Sequence, residues 1–324
     1  MIRPWAADPL LPGHASLELP LADEPTFALE PQGSLVATLV RRGEPRRRRA
    51  VLYVHGWSDY FFQDHVSAAF CELGFDFYAI DLRRYGRSLR EGQLAGYIPD
   101  MTDYRVELDA ACDVIRDEGH DSVVLCGHST GGLIAALHAD DRPGAFDAVV
   151  LNSPWIELQG SAIVRFSMHP LMRTVSAVAP TTALPMSDNG FYLRTIRAEE
   201  EGEWHFDPNL KGDKAFYVRV GWLRAVMAGQ ARIARGLEID APVLVLTSAE
   251  SVGGLVGGQW TDEYHHADGV LDVRRIAQRA HQLGPHVTLV RIEGALHDVA
   301  LSAEPVRRRA FDEVSRFLGA YATA

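Results

Sequence analysis

Cysteine is scarce in this 324-residue chain: there are three, Cys71, Cys112 and Cys126, and no C-x-x-C spacing. So small and odd a number excludes a disulfide framework, and the missing pair excludes a thiol redox motif or a cysteine zinc site, so the three read as reduced thiols. Long apolar runs are missing as well. No window approaches the roughly 18 consecutive apolar residues of a membrane span. The first 20 residues, broken by Pro4, Asp8, Pro9, Pro12 and His14, hold no apolar stretch of a secretory signal. A soluble, cytoplasmic protein is the resulting expectation. Positive charge is in deficit, with 32 Lys+Arg against 43 Asp+Glu and a net charge of -11, which speaks against a surface that tracks nucleic-acid phosphates. The basic run at residues 41–49 lies between two predicted strands and reads as a solvated turn. Repeats, heptads and low-complexity tracts are absent. Neither G-x-x-x-x-G-K-[ST] nor G-x-G-x-x-G occurs, which disfavours a nucleotide enzyme.

What is present is a globular composition, 47% hydrophobic and 23% charged, at a length that buries roughly three quarters of the surface of the unfolded chain. From Leu35 onward, short apolar runs alternate with amphipathic stretches, the signature of βαβ units around a mostly parallel sheet. Strands are predicted at residues 34–40, 50–55, 75–81, 122–127, 146–152, 243–247 and 286–292, and helices near 61–73, 101–117, 130–139, 272–283 and 304–320. The later strands are apolar almost without interruption, as strands covered on both faces are. Two segments break the rhythm. Residues 155–236 have no clean strand, contain Pro170, Pro180, Pro185 and Pro208, and are rich in aromatics. They read as a mostly helical insertion between a core formed by residues 1–154 and 237–324. Residues 249–268 form a Gly-rich loop, long enough to point to function or motion.

The most informative window is Gly127-His128-Ser129-Thr130-Gly131, which follows an apolar strand and opens a helix. This is G-x-S-x-G in the strand–turn–helix setting that gives the motif meaning. The glycines permit a turn in which backbone segments crowd together, and the turn projects the Ser129 hydroxyl. A serine hydroxyl needs a base to take its proton and an acid to orient that base. On this scaffold both follow the serine in the chain, at the carboxyl ends of strands. Of the 13 histidines, His297 alone sits just past the last strand and before the last helix. His128 reads as packing. His265 and His266 with Asp268 mimic a metal cluster but lack a spaced third ligand pattern. Candidates for the acid are Glu250, Asp262, Glu263, Asp268 and Asp272. Asp268 is favoured, with a helix N-cap as its structural alternative, and Glu250 is the runner-up because it lies nearest the strand end. Backbone N–H groups of Thr130, directly after the serine, and Trp57, in His55-Gly56-Trp57-Ser58, are the expected donors to a developing oxyanion.

With these motifs the chain resembles the α/β-hydrolase superfamily, and within it the monoacylglycerol lipase, lysophospholipase and serine aminopeptidase-like group. The carriers are His55-Gly56-Trp57, the segment from Asp81 through Arg83, Arg84 and Gly86 to Ser88, the serine motif, Asp268-Gly-Val-Leu-Asp272 and Gly294-Ala-Leu-His297-Asp298. The family's second motif usually reads D-x-R-G-x-G-x-S. Arg84 stands here in place of its first glycine, so the loop is expected to differ locally. The family acid usually lies only a few residues past its strand, whereas Asp268 follows the long Gly-rich loop. The resemblance implies an α/β-hydrolase fold with a lid at residues 155–236, whose aromatic rings either suit an acyl chain or pack the lid onto the body. It implies a serine hydrolase acting on small-molecule or lipid-like esters through Ser129, His297 and Asp268, with no metal or organic cofactor. A peptidase or amidase on the same scaffold and a non-catalytic binding protein remain as alternatives. A dehalogenase or epoxide hydrolase is disfavoured, since those carry Asp where this chain has Ser129.

Overall fold

The computed structural model describes residues 4–27, 30–158, 175, 177–185, 189–212, 216–253 and 258–322. In chain order the elements are β1 (Ala6–Ala7), β2 (His14–Pro20), β3 (Val36–Arg42), β4 (Arg49–Val54), α1 (Asp64–Glu72), β5 (Asp76–Asp81), α2 (Arg105–Asp117), β6 (Ser122–His128), α3 (Thr130–Asp141), β7 (Ala148–Asn152), α4 (Phe191–Ile196), α5 (Val220–Ala234), β8 (Val243–Ser248), α6 (Val273–Ala280), β9 (Val287–Ile292) and α7 (Glu304–Tyr321). One sheet takes all the strands in the order β1-β2-β3-β5-β4-β6-β7-β8-β9. Pairing is parallel from β5 through β4, β6, β7 and β8 to β9, and antiparallel among β1, β2, β3 and β5. This is the α/β-hydrolase fold, a mostly parallel sheet with helices on both faces.

The sheet's two faces explain why its central strands read as unbroken apolar runs. Along β4, Ala50, Leu52 and Val54 face one side with Leu125, Val149 and Val245. Val51 and Tyr53 face the other with Phe77, Val124, Val150 and Leu244. Side chains alternate across a strand, so a strand covered on both faces must be apolar at every position. The first face is capped by α2, α3 and α5, the second by α1 and α7.

Every predicted strand is present, its ends shifted by no more than two residues. The N-terminal strands β1 and β2 are additions to the prediction. β2 is an edge-side strand that turns Leu17 and Leu19 inward while Glu18 and Pro20 face outward, a short and half-exposed pattern with little signal of its own. The basic run at 41–49 includes the end of β3, and its guanidinium groups pair locally: Arg41 with Glu118, Arg47 with Asp76 and Arg48 with Asp121.

Within 155–236, Pro170 and residues 159–174 generally lie outside the described residues. Among those described, α4 and α5 are joined by irregular chain rather than further helix. α5 packs on α3, with Gly229 against Leu133 and Leu137, and Trp222, Val226 and Ile233 enter the main apolar cluster. Among the described residues no helix is long and apolar enough to cross a membrane.

Burial holds His14, His65, His128 and His138 below the ordinary histidine value, His138 at about 4. Each is held neutral in the fold at pH values where the unfolded chain has begun to take a proton. Their contribution is therefore complete above about pH 6.5 and is lost as the pH falls toward the folded value. His138 is 4% exposed on α3. In denaturant titrations at pH 7, 6 and 5, the stability of the wild type relative to His138→Leu is expected to fall on acidification, by up to about 1.4 kcal/mol per pH unit below pH 6. A difference independent of pH would contradict this account of His138.

Candidate active site

β6 ends where the chain must reverse into α3, and the reversal is made at Ser129, whose backbone takes φ 54 and ψ -117. That left-handed region is sparsely populated for a residue with a Cβ, and it persists only where the surroundings impose it. The crowding is visible in what a Cβ would meet. On Gly127 it would lie 2.5 Å from the Gly131 carbonyl oxygen, and on Gly131 2.2 Å from the His55 carbonyl oxygen. Strand, helix and the end of β4 are thus pressed together at one point, at the boundary where the chain crosses from one half of the sheet to the other.

His297 lies on the loop after β9. Its Nε2 is 3.0 Å from Ser129 Oγ and its Nδ1 is 3.0 Å from Asp268 Oδ2. All three are buried, at 8% exposure for Ser129, 3% for His297 and 0% for Asp268. An ionised carboxylate only accepts, so Nδ1 carries the proton and Nε2 turns its lone pair to the serine hydroxyl. The other carboxylate oxygen of Asp268, Oδ1, accepts the N–H groups of Val270 and Leu271, both at 2.8 Å, which fixes the side chain. The arrangement is a hydroxyl, a neutral imidazole and a carboxylate in series.

Asp268 reaches this place although it lies 20 residues beyond β8. The loop folds back on its own base: Asp268 N–H donates to the Glu250 carbonyl at 2.9 Å, Val252 N–H to the Asp268 carbonyl at 3.0 Å, and Ser251 pairs with Asp268 as a parallel bridge. The excursion therefore returns the acid to the strand end, beside Glu250, the runner-up. Glu250 itself is exposed. The N-cap of α6 is Asp272, which accepts from Arg274 N–H at 3.0 Å, so the alternative reading of Asp268 falls to its neighbour. His265 pairs with Glu201 at 2.9 Å while Asp268 faces His297, so the supposed metal cluster shares no common centre.

The backbone N–H groups of Trp57 and Thr130 have no acceptor among the described residues. Gly56, the residue before Trp57, packs against the serine turn, where a Cβ would lie 3.3 Å from Ser129 Cβ. His55 holds this loop: its Nδ1 donates to the Gly56 carbonyl at 2.8 Å and its Nε2 accepts Leu82 N–H at 3.1 Å. Two N–H groups of free valence beside a serine hydroxyl can receive a negative oxygen. The Arg84 substitution leaves its turn left-handed, φ 65, as a glycine would. The strain is offset by a bidentate pair with Glu30, at 2.8 and 2.7 Å, and a bond to the Tyr97 carbonyl at 3.0 Å.

Asn152, a residue that motif reading passed over, ties these parts together through Asp298. Asn152, the last residue of β7, accepts Ser129 N–H on its carbonyl at 3.0 Å, donates Nδ2 to Asp298 Oδ1 at 2.7 Å, and accepts Val299 N–H on its side-chain oxygen at 3.1 Å. It joins the serine turn to the histidine loop. Burial works to raise the Asp298 carboxyl, but His128 once protonated at acid pH, the Lys211 ammonium and the bonds from Asn152 and Ala300 outweigh it and hold it below the ordinary value. His128 is buried, its Nδ1 donating to the Asn152 carbonyl at 3.2 Å, so it packs beside the serine as expected rather than serving it. The available signal for Asn152 was its position, a polar residue ending an otherwise apolar strand.

The described aromatic rings of the insertion dock onto the body. Tyr192 meets His297 edge-on with centroids 5.5 Å apart, Trp204 stacks on His65, Phe206 meets Phe62, and Trp222 lies 3.7 Å from Trp57. Tyr217 is 61% exposed and is the exception. Tyr192, Trp204 and Phe206 pack with Leu193, Ile196, Leu296 and Leu301 in one apolar cluster beside the histidine loop.

A family model described as serine aminopeptidase, S33, matches residues 45–301. A monoacylglycerol lipase of Mycolicibacterium smegmatis (strain ATCC 700084 / mc(2)155) is 24% identical over 205 residues, 61% of this chain and 69% of that protein. Among solved structures, the Paleococcus ferrophilus monoacylglycerol lipase superposes with a TM-score of 0.64 at 19% identity, over 86% of this chain and 97% of that one. A soluble variant of the Saccharomyces cerevisiae monoglyceride lipase, in complex with a substrate analogue, gives 0.63 at 14% identity, over 89% and 92%.

Asn152→Leu keeps the branched shape and heavy-atom count of the side chain but strips Asp298 of a buried donor and Val299 of its acceptor. Urea denaturation should show a loss of about 3 kcal/mol. An unshifted midpoint would mean that the tie between β7 and the histidine loop contributes nothing.

Proposed function

The chain belongs to the serine aminopeptidase S33 family of α/β-hydrolases, and from that premise we propose that it is a serine hydrolase that cleaves carboxylic esters through an acyl-enzyme. The observation that carries the proposal is the unbroken series from Ser129 Oγ to His297 Nε2 and from His297 Nδ1 to Asp268, each contact 3.0 Å. Binding alone requires no such series, which favours an enzyme over a binding protein.

In the proposed mechanism His297 Nε2 takes the Ser129 proton as Oγ attacks the ester carbonyl carbon. Asp268 keeps Nδ1 protonated and stabilises the imidazolium that forms. The carbonyl oxygen gains its negative charge against the Trp57 and Thr130 N–H groups, which need no reorganisation to receive it. The tetrahedral species collapses, the C–O bond to the alcohol breaks, and His297 returns the proton to the leaving oxygen. Water then enters, gives its proton to His297 and attacks the acyl carbon, and a second collapse releases the acid and restores Ser129. The chemistry is complete with these side chains and calls on no cofactor.

The ester preference draws support from the monoacylglycerol lipase relative and from the apolar flank of Tyr192, Leu193, Ile196 and Leu296 beside His297. On this reading residues 155–236 act as a lid whose described rings fix it to the body, and the substrate is a small-molecule or lipid-like ester handled in a cytoplasmic setting. The name of the family favours one second reading, an aminopeptidase with the same residues in the same roles.

Hydrolysis of p-nitrophenyl esters from acetate to palmitate, run beside aminoacyl p-nitroanilides, separates the two. Turnover of esters, with kcat lowered about 10^5-fold by Ser129→Ala and about 10^4-fold by Asp268→Asn, is the expected result. Ser129→Ala should also abolish labelling by a fluorophosphonate. Preferential turnover of the anilides would transfer the assignment to a peptidase, and a wild type that neither turns over nor takes the label would remove the hydrolase reading.

A further inference from the structure

Basic side chains in this protein are almost all arginine: thirty of them, against two lysines, Lys211 and Lys214. Lys211 belongs to the insertion, yet it is 4% exposed, and its Nζ lies 2.8 Å from Oδ1 of Asp59, itself 1% exposed on the loop after β4. Phe62 and Phe206 face the ammonium, with ring centroids at 5.4 and 5.9 Å. A compact point charge suits this apolar slot where a broad guanidinium would not. Neither carboxylate oxygen of Asp59 has an aligned hydrogen-bond donor, so the pairing is coulombic.

A buried ion pair gains little stability over well-packed apolar replacements, whereas a single buried charge left alone is costly. What such a pair does supply is registration between two parts of a chain. Its position makes that registration consequential. Asp59 stands two residues after Trp57, and its neighbours are engaged in the same way. Ser58 Oγ donates to the Gly212 carbonyl at 2.8 Å and accepts Gly212 N–H at 3.3 Å, while the Tyr60 hydroxyl accepts Asp207 N–H at 3.0 Å. Three consecutive residues of the loop are thus fastened to the insertion. Ser58 is held at φ 48, a conformation a serine does not adopt unforced. The Trp57 ring is clasped from the same side, against Trp222 and Phe216.

We propose that Asp59, Lys211 and Ser58 form a latch between the insertion and the oxyanion loop, and that they act as positioning residues which hold the Trp57 N–H toward the carbonyl oxygen under attack. The inference rests on the serine hydrolase reading above. It makes the insertion part of the rate-determining geometry, in addition to any role in covering the substrate. An N–H turned away from the oxyanion forfeits stabilisation that appears only in the transition state, so the latch should act on kcat and leave ground-state binding alone.

The test compares wild type, Ser58→Ala, Asp59→Asn, Lys211→Met and the double variant Asp59→Asn/Lys211→Met. The readouts are kcat and KM for p-nitrophenyl acetate, a substrate too short to need the lid, and inhibition by a trifluoromethyl ketone, whose hemiketal oxyanion requires the donors. Asp59→Asn and Lys211→Met are expected to lower kcat about 10- to 100-fold with KM within about twofold, and to weaken the ketone in proportion to kcat/KM. The double variant should lose less than the product of the singles, because no unpaired charge is left behind. Ser58→Ala leaves both charges paired, and it should still lower kcat about threefold to tenfold at an unchanged Tm. It keeps the test decisive if a charge variant fails to fold. The latch is overturned if Ser58→Ala and whichever charge variants fold retain kcat within about twofold of wild type, or if kcat falls without a matching loss of ketone affinity. A wild type that lacks both ester turnover and fluorophosphonate labelling instead overturns the hydrolase reading beneath it.

Discussion

The contact between β6 and α3 at Ser129 is the constraint on which the rest of the site depends. A strand and a helix joined by one residue must approach until their backbones touch, and they do so only because residues 127 and 131 carry no Cβ: one on Gly131 would lie 2.2 Å from the His55 carbonyl oxygen. The strain is stored in the left-handed backbone of Ser129. It is held there by Asn152 accepting the serine N–H, and by the Ser129 carbonyl receiving Gly132, Leu133 and Trp155. The outcome is a hydroxyl raised from the end of the sheet, with the first N–H groups of α3 unspent beside it.

Around that point the protein buries far more charge than a hydrophobic core would choose. The side chains of Asp268, Asp298, Asp59, Lys211, Asp81 and Arg87 are all buried close to the ends of the sheet strands. Each is tied to a partner, because an uncompensated charge at such depth would unfold the region. Asp81 accepts Phe61 N–H at 2.9 Å and Arg87 N–H at 2.9 Å, which braces the loops after β4 and β5 against each other. Asp298 does the same for the loops after β7 and β9 through Asn152. The strand ends are therefore cross-braced by buried polar groups that join one loop to the next.

Much of this was legible before any coordinates, and the reason is local. A strand buried on both faces must be apolar throughout, so the parallel strands announced themselves to within two residues. Ser129 and His297 were legible because turn chemistry and position after a strand are properties of short segments. The half-exposed β2 was not, since Leu17 and Leu19 alternate with polar residues over too short a run. Arg84 read as a departure from the family motif, and nothing in the sequence pointed to Glu30, 54 residues away, which grips the guanidinium of this left-handed residue.

By itself, then, the sequence determined the α/β architecture, the serine turn and the candidates for base, acid and oxyanion donors, since each follows from periodicity, steric necessity or adjacency in the chain. Tertiary structure alone decided which acid meets His297. Asp268 was favoured over Glu250 in sequence, but it is the backbone pairing of Ser251 with Asp268 that brings its carboxylate to the imidazole, while Glu250 lies exposed. It also decided that Asn152 would join two loops and that Lys211 would find Asp59, 152 residues from it in the chain. Such pairings depend on distances across the folded molecule, where separation along the chain carries no information and the cost of an unpaired buried charge selects the partner.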